Sequence, residues 1–212
     1  MRVSKNILKL FENHPVNKID ENNLLTCTHD SKDNVYLIKK GAIKIFKHAG
    51  SIDFIFAIGF EGEIIGLEQV ILEEVSDKSY VALKNSEIVC IPVSELKNEI
   101  LKNEELLPDI LHYVSDFSDQ LEHRIVNLNQ KSVINNFATL LYSLSKLKVN
   151  EIVPHIISTK DIASLIGTTT NYVYKTIQKL EDKSIITFKD RKLRIINKEL
   201  LKKLALEKIV QS

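Results

Sequence analysis

Cysteine, tryptophan and long apolar runs are scarce in this chain of 212 residues. It has two Cys, one Met and no Trp, and no apolar run approaches the roughly eighteen residues of a membrane-spanning helix. Near the start, Arg2, Lys5 and Lys9 are spread through the chain with no apolar stretch behind them, unlike a signal peptide. These absences predict a cytoplasmic protein without a membrane partner. Two Cys also exclude a four-iron cluster, which needs four thiolates.

Metal and catalytic motifs are missing as well. Cys27 and His29 form a C-x-H pair, but two ligands without a second pair are most often incidental. Cys90 lies in an apolar run and is interpreted as a small core residue, while a redox disulfide between Cys27 and Cys90 stays open. The chain contains no phosphate loop, H-E-x-x-H or G-x-S-x-G motif. We therefore expect no metal, no cofactor and no enzymatic activity.

Charge is unevenly distributed along the chain, although the formal net charge is only +1. Residues 1–130 contain 14 Lys and Arg and 21 Asp and Glu, whereas residues 131–212 contain 15 Lys and Arg and 7 Asp and Glu. An acidic front part and a basic rear part are expected when only the rear part meets a polyanion.

Short apolar runs broken by Gly and charged turns fill residues 35–92. Such a series of short strands is typical of a small antiparallel barrel or double sheet of the jelly-roll kind, which can hold one small ligand. The predicted strands include Val35–Ile38, Ile43–Phe46, Phe54–Ile58, Tyr80–Leu83 and Ile88–Ile91.

A long helix is predicted after this region, beginning near Pro108. Its apolar residues follow a heptad pattern, with a Ser in one slot, as in the interface between two paired helices. A buried helix of a monomer would show the same stripe, but the polar residues around it fit a two-chain interface better. The predicted dimer interface comprises Leu111, Val114, Ser118, Leu121, Ile125 and Leu128.

The stretch 158–180 predicts two helices joined by a Gly turn. Ser158 and Asp161 can form a capping box, Gly167 ends the first helix, and Thr168 or Thr169 caps the second. The apolar residues of the second helix recur on one face, which leaves its polar residues pointing outward as in a DNA-reading helix. A plain helical hairpin with a solvated face is the alternative.

Two alternating runs around the charged turn Lys189–Arg191 then predict a hairpin. A helix-turn-helix followed by a basic hairpin is a winged helix, which favours the DNA-reading interpretation.

With a barrel, a long helix and a winged helix in this order, the chain resembles the Crp-Fnr family of bacterial regulators, related to the cyclic-AMP receptor protein. The resemblance rests on Tyr36–Ile45, Gly62–Gly66, and Asp161–Ala163 with Gly167, and it covers nearly the whole chain. It implies an α+β fold with a cyclic-nucleotide-binding-like jelly-roll barrel in residues 1–104, a dimerisation helix in 105–130 and a winged helix-turn-helix in 131–212. It further implies a homodimer on a two-fold symmetric promoter site, RNA polymerase as a partner, and a small-molecule effector of unknown identity.

The predicted DNA-binding set combines this resemblance with side-chain chemistry. Asn can pair with an adenine edge, and Lys can reach guanine or phosphate. Where many members carry Arg and Glu on the reading helix, this chain has Thr170 and Asn171, so its target sequence should differ. The set is Thr159, Lys160, Thr169, Thr170, Asn171, Tyr172, Lys175, Lys189, Arg191 and Lys192.

The barrel departs from the members that bind cyclic nucleotides. Leu67 follows Gly66, where those members have Glu. Lys78 and Ser79 stand at the position that binds the phosphate in those members. Leu121 and Glu122 replace a Thr-Ser pair that contacts the base. These losses predict that cyclic AMP is not the effector. The candidate effector pocket is Ile65, Gly66, Leu67, Glu68, Lys78, Ser79, Leu121 and Glu122.

Two functions remain at this point. One is a DNA-binding transcription regulator, and the other is a ligand-sensing or protein-interaction dimer whose winged helix holds a protein partner. A protein-binding wing has no need of a large basic surface, so the first is favoured by Lys160, Lys175, Lys189, Arg191, Lys192 and Arg194.

Overall fold

The computed structural model describes residues 3–25, 33–49, 52–72, 76–130, 132–146, 157–189 and 192–207. The chain forms two compact units, Met1–Leu121 and Glu122–Ser212. The boundary falls inside the long helix α3, Leu106–Gln130, which contributes residues to both units.

The first unit is built mainly from antiparallel strands. Apart from the start of α3, its elements are α1 (Lys5–Leu10), β1 (Val16–Ile19), β2 (Asn34–Lys40), β3 (Ala42–Ala49), β4 (Ile52–Phe60), β5 (Ile64–Ile65), a 3-10 turn (Leu67–Val70), β6 (Ser79–Ala82), β7 (Ser86–Pro92) and α2 (Val93–Lys102). One sheet has the order β1-β7-β2-β5 and the other has the order β4-β3-β6. The predicted double sheet of the jelly-roll kind is confirmed.

One face of the first sheet packs against the second sheet, and the other face packs against helices. Ile38 and Ile88 on one face share a core with Ile43 and Ile45 of the second sheet. The opposite face is covered by helices that bring in residues such as Ile7, Phe11, Leu96, Ile110 and Tyr113. The first sheet is therefore held between two apolar layers, and the start of α3 belongs to one of them.

The second unit is helical and carries a small hairpin. After α3 come α4 (Val133–Lys146), α5 (Thr159–Leu165), α6 (Thr170–Asp182), β8 (Ile186–Lys189), β9 (Lys192–Ile195) and α7 (Lys198–Leu206). This is the predicted winged helix-turn-helix. None of the helices among the described residues is long and apolar enough to span a membrane.

Helices α1, α2 and α7 were not among the predicted elements. Helix α7 packs on α4, where Thr139 Oγ1 donates to Ala205 O at 3.1 Å. Its side chains Leu201 and Ala205 are buried. This helix closes the core of the second unit behind the helix-turn-helix.

Candidate nucleic-acid interface and ligand cavity

The turn of the helix-turn-helix is set by local hydrogen bonds. Ser158 Oγ accepts from Asp161 N at 3.1 Å and donates to the Asp161 carboxylate at 2.7 Å, which begins α5. Gly167 has a φ of 67°, a conformation that favours glycine, and Thr168 N then donates back to Ala163 O at 2.9 Å. Thr169, not Thr168, caps α6 by accepting from Tyr172 N at 3.3 Å.

The inner face of α6 is formed by Val173, Thr176, Ile177 and Leu180, all buried. Thr176 is the polar member, and it is only 1% exposed. Its hydroxyl donates to Tyr172 O at 2.8 Å, so the buried oxygen is satisfied within the helix. This bond explains how a Thr occupies a core position.

Half of the predicted DNA-binding residues lie on the outer face of α6 or at its N-cap. Thr169, Thr170, Asn171, Tyr172 and Lys175 are all exposed. On α5, Thr159 is half-buried and Lys160 is exposed, and Lys189 is exposed at the end of β8. Arg191 lies outside the described residues, as does the side chain of Lys192.

The wing is fastened to α6 by contacts that the sequence pattern did not suggest. Glu181 Oε1 accepts from Phe188 N at 2.5 Å, and Ile185 N donates to Leu180 O at 3.0 Å. Because these bonds fix β8 at the end of α6, the hairpin and the reading helix form one structural element.

Tyr174 is a surface residue of α6 that the predicted set omitted. It is 51% exposed, and its ring meets that of Phe188 edge-on with centroids 6.5 Å apart. Its hydroxyl lies 3.5 Å from Thr159 Oγ1. The helical period placed Tyr174 on the outer face, but only the fold shows that it reaches α5 and the wing.

The end of α3 contacts the turn within the second unit. Arg124 Nη2 donates to Leu165 O at 2.9 Å, and burial lowers the pKa of this guanidinium. A Cβ on Gly167 would lie 3.5 Å from Leu128 Cδ2. Leu128, predicted as an interface residue, thus also packs beside the helix-turn-helix.

A cavity of about 80 Å³ lies in the first unit between the double sheet and α3. Five residues of the predicted effector pocket line it, namely Ile65, Gly66, Leu67, Glu68 and Lys78. Ser79, Leu121 and Glu122 are not part of the lining of this cavity. Ser79 lines a neighbouring cavity, and the helical phase of α3 instead brings Val114, Phe117 and Gln120 to this one.

The cation in the cavity already has an anionic partner. Lys78 Nζ lies 2.5 Å from Glu68 Oε1, and both side chains are about one-fifth exposed, at 21% and 20%. The same ammonium faces the Phe117 ring at 5.9 Å. Asp77 pairs instead with Lys47, which lowers the Asp77 pKa, while Glu73 and Glu74 lie outside the described residues.

Tyr113 anchors α3 beside this cavity. Its hydroxyl accepts from Ile64 N at 2.9 Å and donates to Ile64 O at 2.8 Å, and its burial raises its pKa. Strand β5 is at the edge of its sheet, so the tyrosine satisfies backbone groups where a further strand would lie.

The predicted interface residues of α3 divide into two groups. Leu111, Ser118 and Ile125 are exposed, with Leu111 at 50% and Ile125 at 59%. Val114 lines the cavity of its own chain, and Leu121 and Leu128 are half-buried. Leu107 and Val126 add further exposed apolar surface, at 42% and 46%.

Cys90 is buried in the core at β7, as predicted, and it is disulfide-bonded, so it carries no free thiol. Its sulfur also accepts from Asn17 Nδ2 at 3.4 Å. Cys27 and His29 lie outside the described residues. Among the residues that the structure describes, no group of three or more His, Cys, Asp or Glu could hold a metal ion.

Comparison with known proteins gives matches over both units. A family model for a Crp-like helix-turn-helix domain matches residues 137–204, and one for a cyclic nucleotide-binding domain matches residues 16–103. No curated protein sequence matches the chain.

Solved structures show the same fold. FixK2 from Bradyrhizobium japonicum is 18% identical with a TM-score of 0.76, over 92% of this chain and 98% of that one. TTHA1359, a CRP/FNR family transcriptional regulator from Thermus thermophilus, is 17% identical with a TM-score of 0.75, over 91% and 99%. The c-di-GMP responsive regulator CLP from Xanthomonas campestris is 13% identical with a TM-score of 0.71, over 89% and 97%.

The two matched domains define a transcription regulator in which a helix-turn-helix DNA-binding domain follows a cyclic nucleotide-binding domain along the chain. The chain belongs to the Crp-Fnr family.

Proposed function

We propose that the protein acts in the cytoplasm as a homodimeric regulator that binds a two-fold symmetric promoter site, with the helix Thr169–Leu180 in the major groove. The observation that carries this proposal is the two-sided character of α6. Its inner face is buried, while Asn171, Tyr172 and Lys175 are exposed together near its start. That is the part of a recognition helix that contacts base edges.

The wing supplies a second kind of contact. Lys189 ends β8, and Arg191 follows it by two residues in the sequence. Charges at a wing tip are suited to phosphates flanking the site. Asn171 would then read a base, and the wing would hold the backbone. Lys175 follows Asn171 by about one turn and is assigned to base contact.

Dimerisation through α3 is supported by exposed apolar side chains along that helix. Leu107, Leu111, Ile125 and Val126 are each at least two-fifths exposed in the single chain. Apolar surface in this arrangement is removed from water when two such helices pair. A two-fold symmetric pair would present two copies of α6 to two half-sites, and RNA polymerase is the expected partner at the promoter.

Regulation without cyclic AMP is supported by the chemistry of the cavity. Lys78 already pairs with Glu68, so a ligand phosphate would have to displace a carboxylate. The family's ribose-binding Glu is replaced by Leu67, which is 1% exposed. CLP is described as responsive to c-di-GMP, which is an example of an effector other than cyclic AMP on this fold.

Enrichment of a random duplex pool by the purified protein, without added nucleotide, tests this function. We expect the recovered sequences to converge on two related half-sites of opposite orientation. Recovery of a pool indistinguishable from the starting one would contradict DNA reading and favour the protein-partner alternative.

Calorimetry with cyclic AMP tests the effector separately. We expect no measurable heat of binding and no change in affinity for the recovered duplex. Micromolar binding accompanied by tighter DNA association would show that the proposed independence from cyclic AMP is wrong.

A further inference from the structure

We propose that Tyr174 and Thr159 form a hydroxyl pair that holds one phosphate of the DNA backbone in each half-site. This inference rests on the proposed DNA-binding function and adds a contact that uses no charge. Thr159 is on α5 and Tyr174 on α6, yet their oxygens lie 3.5 Å apart. At that separation the Thr159 hydroxyl can orient the Tyr174 hydroxyl toward a phosphate oxygen.

The position of Tyr174 on the helix places it beside the groove floor. With about 100° per residue, Asn171 and Gln178 fall nearly in line along the outer face of α6. Tyr174 then lies about 60° to one side of Asn171, and Lys175 about 40° to the other. Residues to one side of the base-contacting positions contact the backbone of the DNA strand that borders the groove.

Its contacts keep the side chain on that flank. The Tyr174 ring meets Phe188 of β8 edge-on, at a centroid distance of 6.5 Å, and its hydroxyl meets Thr159 of α5. A ring braced between α5 and the wing is poorly placed to turn toward the base edges. It remains 51% exposed, so its hydroxyl is accessible to DNA.

The hydrogen-bond chemistry of the pair leaves a donor for an anion. Thr159 Oγ1 donates to the Tyr174 oxygen, and the Tyr174 O–H proton is then free to be donated outward. A phosphate oxygen is a strong acceptor for such a proton. Lys160, exposed next to Thr159, adds a cation on the same helix.

Tyr174→Phe tests the pair, because it removes the hydroxyl and keeps the ring on Phe188. We expect affinity for the specific and the scrambled duplex to fall alike, by about threefold to tenfold. Because no cation is lost, the dependence of affinity on salt should keep its slope. Thr159→Val should behave in the same way, and the double variant should lose less than the two single losses combined.

Two controls make the result specific. Lys160→Gln should also weaken both duplexes but should reduce the salt slope by about one. Duplexes with single methylphosphonate substitutions should show one position per half-site that weakens the wild-type protein and has no further effect on Tyr174→Phe.

The outcomes separate this proposal from the function on which it rests. If the wild-type protein enriches no DNA sequence, the proposed function is wrong and the hydroxyl pair is overturned with it. If the wild-type protein binds and Tyr174→Phe binds equally well, the hydroxyl pair is wrong. A loss confined to the specific duplex would assign Tyr174 to base reading, and a loss that tracks a lowered melting temperature would make it a structural brace only. Both results overturn the proposal.

Discussion

At the residue scale, Asn171 is where a single side chain should set sequence preference. It is exposed at the second position of α6, and its amide can make two hydrogen bonds to an adenine edge. We expect Asn171→Ala to cost about 1–3 kcal/mol on the specific duplex and to relax preference at one position of each half-site. Titrations on specific and scrambled duplexes measure this effect. An equal loss on both duplexes would show that Asn171 positions the protein instead of reading a base.

The Tyr113 hydroxyl should contribute measurably to stability. Tyr113→Phe keeps the ring but leaves the N–H and C=O of Ile64 without their partner at the sheet edge. We expect the free energy of unfolding to fall by about 1–3 kcal/mol, measured by urea denaturation. Tyr172→Phe, which changes an exposed hydroxyl, is the matched control and should stay within about 0.5 kcal/mol of wild type. A Tyr113 variant as stable as this control would contradict the anchoring role.

The same tyrosine predicts a pH dependence. Burial raises the pKa of Tyr113 above its ordinary value of about 10, so the folded state favours the neutral phenol. Its contribution is fully present below about pH 10 and is lost as pH rises toward the higher pKa of the folded state. Wild type should therefore lose stability above pH 10 more steeply than Tyr113→Phe. Parallel curves for the two proteins would show that this phenol does not titrate with unfolding.

At the scale of elements, α3 should decide the assembly state. Ile125 is 59% exposed in the single chain and belongs to the heptad stripe. Ile125→Glu would bring like charges together across a paired interface, so we expect monomers by sedimentation at micromolar concentration. Glu122→Gln, at an exposed neighbouring position, should leave the dimer intact. A wild-type chain that sediments as a monomer would show that the apolar stripe of α3 is not a dimer interface.

The wing should contribute affinity without specificity. Lys189 is exposed at the end of β8, which Glu181 holds against α6. We expect Lys189→Gln to weaken all duplexes alike and to lower the salt slope by about one. Lys202→Gln, an exposed change on α7, is the control in the same unit. A loss confined to the specific duplex would assign Lys189 to base contact.

Elements were predictable from sequence where local chemistry decides them. The capping Ser158, the left-handed Gly167 and the apolar face of α6 each leave a pattern within a few residues. Residues that act across elements leave no such pattern. The partners of Glu181 and Tyr113 are a backbone N–H of β8 and the backbone of Ile64, and backbone groups carry no side-chain signature.

The candidate site shows the same division. Ile65–Glu68 line the cavity because the predicted strand and Gly turn place them there. Leu121 and Glu122 do not, because the rotation of α3 against the sheet is set by Ile110 and Tyr113 in the core and brings Phe117 to the cavity instead. Helical period alone does not determine that rotation.

At the scale of the whole molecule, the charge difference between the two parts of the chain and its division into two units favour the proposal that the second unit binds DNA. The central claim is that two chains bind one symmetric duplex through α6. Its most direct test is the composition of the complex on the enriched duplex, measured by analytical ultracentrifugation together with affinity for a single half-site. We predict two chains per full-site duplex and much weaker binding to the half-site. One chain per duplex, or equal affinity for half-site and full site, would contradict the account.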